Sequence, residues 1–160
     1  MLRDNSIDTV EVRKDYYESG ALYAETPFVN GKKHGVAKYY YTSGVIWWED
    51  PYVDGRMHGI TKVNYRSGAL RLEVPYVNGV EHGIEKTYYE SGDLRWETPY
   101  VNGEKHGIVK TYYPSGDLWS EIPFVNGKMH GIKKGYDKEK TNIFCLVLYN
   151  KNQEVYSIKI

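Results

Sequence analysis

The sequence predicts an all-β protein: an elongated single-sheet antiparallel meander, a repeat solenoid of β-hairpins with about two strands per 24-residue repeat and a C-terminal capping hairpin. Three observations carry this expectation. Five histidines (His34, His58, His82, His106 and His130) recur 24 residues apart, each in an Asn/Asp-Gly-x-x-His-Gly phrase such as Asn102-Gly103-Glu104-Lys105-His106-Gly107. Fifteen of the 16 glycines and five of the six prolines keep the same period. A fixed period of this length means units that bury their apolar faces by stacking on one another. No segment sustains helical periodicity, and three glycines and a proline in every repeat oppose a helix.

The unit from Leu94 to Tyr113 stands for the rest. Leu94–Val101 is rich in aliphatic and aromatic residues and ends at Asn102-Gly103, a strong hairpin dipeptide. Gly107–Tyr113 is again strand-like and ends at a second turn, Pro114-Ser115-Gly116. With Gly103-Glu104 at the tip of the first turn, Glu97 lies opposite Lys110; with Ser115-Gly116 at the tip of the second, Lys110 lies opposite Glu121. Repeated along the chain, this gives an alternating ladder: Lys14, Glu25, Lys38, Glu49, Lys62, Glu73, Lys86, Glu97, Lys110, Glu121, Lys134. Opposite charges across strands stabilise by about 0.2–1 kcal/mol each and like charges cost, so the ladder resists slippage. The reading requires turns without bulges.

The same pairing sorts the faces. One carries Leu94, Trp96, Tyr100, Tyr113 and their equivalents, with Gly107 flanked by Tyr100 and Phe124, and is expected to be the better buried. The other carries the ladder, Pro99, Val101, His106 and Ile108, together with a stripe formed by Tyr16/Tyr23, Tyr40/Trp47, Asn64/Arg71, Tyr88/Arg95 and Tyr112/Trp119. Strands spaced about 4.8 Å apart advance each repeat by about 10 Å, and five repeats by about 50 Å. Residues 1–135 read as the five repeats with a charge-rich N-terminal edge (Arg3, Asp4, Asp8, Glu11, Arg13, Lys14, Asp15). Residues 136–160 read as the cap: Ile143–Tyr149 is apolar on both faces and turns at 150–153 into a last strand, which suits either a lid on the final repeat or a homodimer contact through residues 143–160.

Composition narrows the function. With 21 basic and 21 acidic side chains the chain lacks the cationic surplus of a nucleic-acid-binding protein, and it has no general attraction to anionic membranes. No stretch reaches the ~20 apolar residues of a membrane span, and the N-terminus lacks the apolar core of a secretory signal, so a cytoplasmic location is expected. The single Cys145 sits in an apolar run and reads as a buried, inert thiol. Equivalent histidines about 10 Å apart cannot converge on one metal ion, so they are expected to hydrogen-bond the backbone beside their turns. Recurring Glu/Lys pairs already have a role in the register and no unique acid–base constellation stands out, so no catalytic residue, metal or cofactor is expected.

The stripe remains as the candidate partner-binding set: Tyr16, Tyr23, Tyr40, Trp47, Arg71, Tyr88, Arg95, Tyr112 and Trp119. Tyrosine, tryptophan and arginine are the residues enriched at binding hot spots, although cross-strand aromatic packing would account for the rings equally well. Within the stripe the slot Tyr23, Trp47, Arg71, Arg95, Trp119 differs from copy to copy, and its neighbours are read as constant.

The Asn-Gly-x-x-His-Gly phrase at this period resembles the MORN repeat, the membrane occupation and recognition nexus, over roughly Glu11 to Lys134. Where the commonest pattern has Tyr-x-Gly-x-Trp before the turn, this chain has Glu-x-Pro-Tyr/Phe-Val; where that pattern has His-Gly-x-Gly, it has His-Gly-Ile-x-Lys in most copies. Both departures resemble a bacterial variant class whose members are often described as antitoxin-like components of toxin–antitoxin pairs. The resemblance implies a non-enzymatic scaffold that binds another protein. Association with lipid or a membrane surface is the alternative.

Overall fold

The computed structural model describes residues 8–138 and 143–159. Arg3 and Asp4 of the charged edge, and Ile160 of the terminal hairpin, lie outside the described residues. Among these residues there is no helix, and 18 strands form one open antiparallel sheet in a meander. Each repeat contributes an eight-residue strand such as Leu94–Val101, a two-residue piece such as Glu104–Lys105, and a six-residue strand such as Gly107–Tyr112.

Backbone chirality explains the punctuation. All fifteen periodic glycines have positive φ, as do the Asn/Asp residues that precede the turn glycines. Asn102 (φ 52°) and Gly103 (φ 82°) together form the two-residue turn of type I′ whose twist matches the strands it joins. The tip is therefore Asn102-Gly103, with Val101 opposite Glu104, one step earlier than the sequence reading had it. A bulge at His106-Gly107 takes up the difference: the His106 amide donates to the Pro99 carbonyl at 2.9 Å, and Gly107 takes φ 115°. Pairing resumes with Glu97 opposite Lys110 and Trp96 opposite Thr111.

The second turn is built from Tyr113 to Asp117. The Gly116 amide donates to the Tyr113 carbonyl and the Tyr113 amide to the Asp117 carbonyl, at 2.9 and 2.8 Å. It too carries a bulge, so that Lys110 faces Glu121, Thr111 faces Ser120, and Tyr112 faces Leu118. Trp119 is the extra residue. Both turns thus contain bulges, contrary to the turns without bulges that the register was expected to require, yet they fall outside the Glu/Lys positions, and every step of the ladder from Lys14 to Lys134 is in register.

Two rails of hydrogen bonds tie successive repeats along the edges of the sheet. On one edge the amides of Gly55, Gly79, Gly103 and Gly127 reach the preceding repeat, as in Gly103 to the Glu81 carbonyl at 2.9 Å, and in the first turn the Asn30 amide reaches the Thr9 carbonyl. On the other, the phenols of Tyr17, Tyr41, Tyr65, Tyr89 and Tyr113 donate to the carbonyls of residues 40, 64, 88, 112 and 136. The terminal hairpin, Ile143–Asn150 and Gln153–Lys159, continues both the sheet and the first rail, through the Asn152 amide on the Met129 carbonyl at 2.9 Å.

Burial is one-sided. The buried side chains among the described residues are Ala24, Ala37, Val63, Val74, Val109, Asp50, Thr61, Thr98, Thr111 and Ser120. By strand alternation and register all of them lie on the face opposite the ladder, the face of Trp96 and Tyr100. Small residues there stand opposite large ones in the register: Ala24 faces Tyr39, Val63 faces Trp48 and Thr111 faces Trp96. Leu94 belongs to the other face: it pairs with Tyr88, because the bulge shifts the register by one. The ladder face is more open, with Ile60, Ile84, Ile108 and Ile132 each about half exposed.

Candidate functional site

The stripe does not lie on one face. Tyr40, Tyr88 and Tyr112 stand on the ladder face, where their hydroxyls donate to Glu25, Glu73 and Glu97 at 2.6, 2.9 and 2.7 Å, and Tyr136 does the same to Glu121 at 2.8 Å. Tyr16 stands at the equivalent place in the exposed first strand, paired with Leu22. Among the described residues no lysine of the ladder comes within ion-pair distance of a glutamate, so the tyrosine hydroxyl, not the opposed ammonium, is the direct partner of Glu25, Glu73, Glu97 and Glu121. In the third copy the tyrosine is replaced by Asn64, whose amide donates to the Ile46 carbonyl, and Glu49 loses this contact. Burial first, and then the bonded glutamate, push Tyr40, Tyr88 and Tyr136 up to about 12, and raise Tyr112 as well.

The other half of the stripe sits on the opposite face. Tyr23, Trp47, Arg71, Arg95 and Trp119 occupy the bulge of the second turn, and the bulge turns them toward the buried side. There they meet the rail tyrosines: Tyr17 against Tyr23 (5.1 Å between ring centroids), Tyr41 against Trp47 (5.9 Å), Arg95 over Tyr89 (5.5 Å) and Tyr113 against Trp119 (6.0 Å). A sequence reading without bulges cannot find this, because one inserted residue moves a side chain across the sheet.

On that face variation is not confined to one slot. The positions holding Trp48 and Trp96 hold Ala24, Leu72 and Ser120 in other copies; those holding Asp50 and Thr98 hold Thr26, Val74 and Ile122; those holding Thr61 and Glu85 hold Ala37, Val109 and Lys133. Three hollows result, each different. The first, about 190 Å³, is lined by Tyr23, Tyr39, Trp47, Trp48 and Asp50. The second, about 490 Å³, is lined by Arg71, Arg95, Glu85, Leu72 and Trp96 among others. The third, about 330 Å³, lies between Trp96, Trp119, Ile122, Phe144 and Cys145. In the second, burial and then the Glu81 carboxylate hold Glu85 above the usual carboxylate range. Cys145 is half-buried and unpaired, packed so closely on Gly135 that a β-carbon there would stand 2.7 Å from its sulfur.

The histidines stay near the turns, but they reach the turn of the next repeat. His34 Nδ1 lies 3.5 Å from Asp54 Oδ1, His106 Nδ1 lies 3.3 Å from Asn126 Oδ1, and the Asn102 amide approaches His82 Nδ1 at 3.5 Å. Among the described residues no three His, Cys, Asp or Glu side chains converge as a metal site, and no helix is long and apolar enough to cross a membrane.

Comparison with known proteins agrees with this architecture. A family model described as a MORN repeat variant matches residues 12–30, 57–78, 81–102 and 105–126, and the MORN repeat model itself matches 28–46 and 124–132. A search of curated proteins finds no match. The matched segments take in more than half of the chain, each contains or abuts an Asn/Asp-Gly turn of the sheet, and the chain belongs to the MORN repeat family in its variant form.

Proposed function

We propose that the chain is a non-catalytic scaffold that binds another protein through the face opposite the Glu/Lys ladder. The MORN repeat is a non-catalytic scaffold type generally associated with protein or membrane-lipid interactions. The observation that carries the reading is the sorting of the copies: the ladder face repeats nearly the same residues, while the opposite face differs in every repeat. A constant scaffold with one variable, aromatic- and arginine-bearing face is how repeat proteins acquire specificity. Trp96 and Trp119 remain 41% and 45% exposed there, enough surface for a partner to cover. An antitoxin-like role is the case of this reading in which the partner is a toxin.

The test is capture from the native cell with three chains: the natural one, Trp119→Ala on the variable face, and Ile108→Lys on the ladder face. One stoichiometric protein, lost with Trp119→Ala and retained with Ile108→Lys, supports the reading. The rival, lipid association, draws on the half-exposed row Ile60, Ile84, Ile108, Ile132; flotation with vesicles, abolished by Ile108→Lys and unaffected by Trp119→Ala, would favour it instead.

Self-association through residues 143–160 is a second reading with its own observation. Val155, Tyr156 and Ile158 of the last described strand are 60%, 60% and 39% exposed. An edge strand with apolar side chains is a template for pairing with a second copy.

A further inference from the structure

The hollow between the first two repeats differs from the other two in its chemistry, and its walls are four aromatic rings. Trp47 and Trp48 meet at 78° with centroids 6.0 Å apart; Tyr23 and Tyr39 meet at 64°, also 6.0 Å apart. Edge-to-face pairs leave ring surface uncovered by the partner ring, and all four rings line the hollow. Asp50 lines the same hollow and is only 9% exposed. Its Oδ1 accepts the Trp48 indole N–H at 2.6 Å and the Thr61 hydroxyl at 2.8 Å, while Oδ2 has no donor among the described residues and is not fully buried.

Among the described residues no cation lies at ion-pair distance from that carboxylate. Lys33, on the same face, has its ammonium 4.8 Å from the centre of the Tyr52 ring, and its charge also reaches the Tyr39 phenol. The cage is also braced from behind. Tyr17 backs Tyr23 and Tyr41 backs Trp47, and both backing phenols are fixed by rail hydrogen bonds to backbone carbonyls, at 2.6 and 2.9 Å. Walls held in place before binding lose little freedom when a ligand enters.

The combination occurs once. In the other copies threonine, valine or isoleucine stands at the Asp50 position, and Arg71 and Arg95 stand at the Trp47 position, where they would repel a cation. Aromatic faces beside a buried carboxylate that has no ion-pair partner attract a cation that is itself weakly hydrated and apolar at its surface. We infer that the Tyr23–Tyr39–Trp47–Trp48–Asp50 hollow is a binding site for a methylated or quaternary ammonium group. The inference rests on the reading that this face binds ligands, and it goes beyond it by naming what this one hollow takes.

The experiment titrates the full chain with choline and follows the indole N–H signals of the four tryptophans by NMR. Trp47 and Trp48 should shift and Trp96 and Trp119 should not. 3,3-Dimethylbutanol, the uncharged isostere, should bind about tenfold more weakly, the effect of losing roughly one cation–π and carboxylate attraction. Asp50→Asn keeps an acceptor for Trp48 and Thr61 and removes only the charge; it should weaken choline about tenfold with little change in melting temperature. Asp50→Thr, a residue the first and fourth repeats carry at this slot, gives the same reading in a second background. Stronger binding of a trimethyl-lysine peptide would place the ammonium on a protein, and recruitment to phosphatidylcholine vesicles would place it on a lipid; either supports the site. Equal binding of choline and its neutral isostere, or unchanged choline binding by Asp50→Asn, overturns it. Loss of choline binding in a variant that still captures its protein partner would separate this inference from the proposal above.

Discussion

The ring of Pro99 lies over Gly107, so close that a β-carbon at residue 107 would stand 3.0 Å from Pro99 Cγ. The proline carbonyl accepts the His106 amide beneath the same contact. Proline, histidine and glycine are therefore one device: they form the bulge that lets a tight Asn-Gly turn coexist with the charge register. Gly107→Ala meets two obstacles, the proline ring and a φ of 115° that side chains rarely adopt. It should cost about 1–3 kcal/mol in urea unfolding. Adding Pro99→Ala should relieve the contact and not the dihedral, and leave most of the loss in place.

Tyrosine hydroxyls on the ladder glutamates make stability fall at alkaline pH. Tyr40, Tyr88 and Tyr136 hold their protons up to about 12 against an ordinary value of 10.0. The folded chain thus binds these protons more tightly than the unfolded chain, and the contribution is complete below pH 10 and lost as pH rises toward 12. The melting temperature should drop through that window. Replacing Tyr40, Tyr88, Tyr112 and Tyr136 together by phenylalanine should lower stability at pH 8 and flatten the alkaline slope. A single Tyr112→Phe should cost about 0.5–1.5 kcal/mol.

Self-association through the last hairpin makes a separate expectation. Val155→Lys with Ile158→Lys places charge on the outer strand without touching the repeats. Light scattering should give a concentration-dependent mass for the natural chain and a constant monomer mass for the variant. A constant monomer mass for both removes the second reading.

Much of the fold was legible because the period is exact in the residues that govern backbone chirality: every periodic glycine has positive φ, and each Asn/Asp-Gly pair is a type I′ turn. The ladder was legible because charge pairing tolerates no slip. Face assignment near the second turn was not legible. Tyr112 was expected opposite Trp119 and is opposite Leu118, because a bulge has no residue signature in the Leu-Trp-Ser stretch that contains it. Nor is the glutamates' direct partner legible: Lys110 opposes Glu97 in register, yet the Tyr112 hydroxyl, placed diagonally two residues on, donates to its carboxylate at 2.7 Å. The cage around Asp50 was missed for a third reason. Its residues come from adjacent repeats, and only the correct register brings Tyr23, Tyr39 and Trp47 to one place.

The central claim is that a bulge in each repeat carries the variable slot to the face opposite the ladder. Disulfide trapping tests it most directly, because two cysteines bridge only when their side chains face each other at close range. In a Cys145→Ser background, cysteines at positions 112 and 118 should oxidise readily to an intrachain bridge, while cysteines at 112 and 119 should stay reduced. A bridge between 112 and 119, with none between 112 and 118, would mean a register without the bulge, and would return Trp119 to the ladder face.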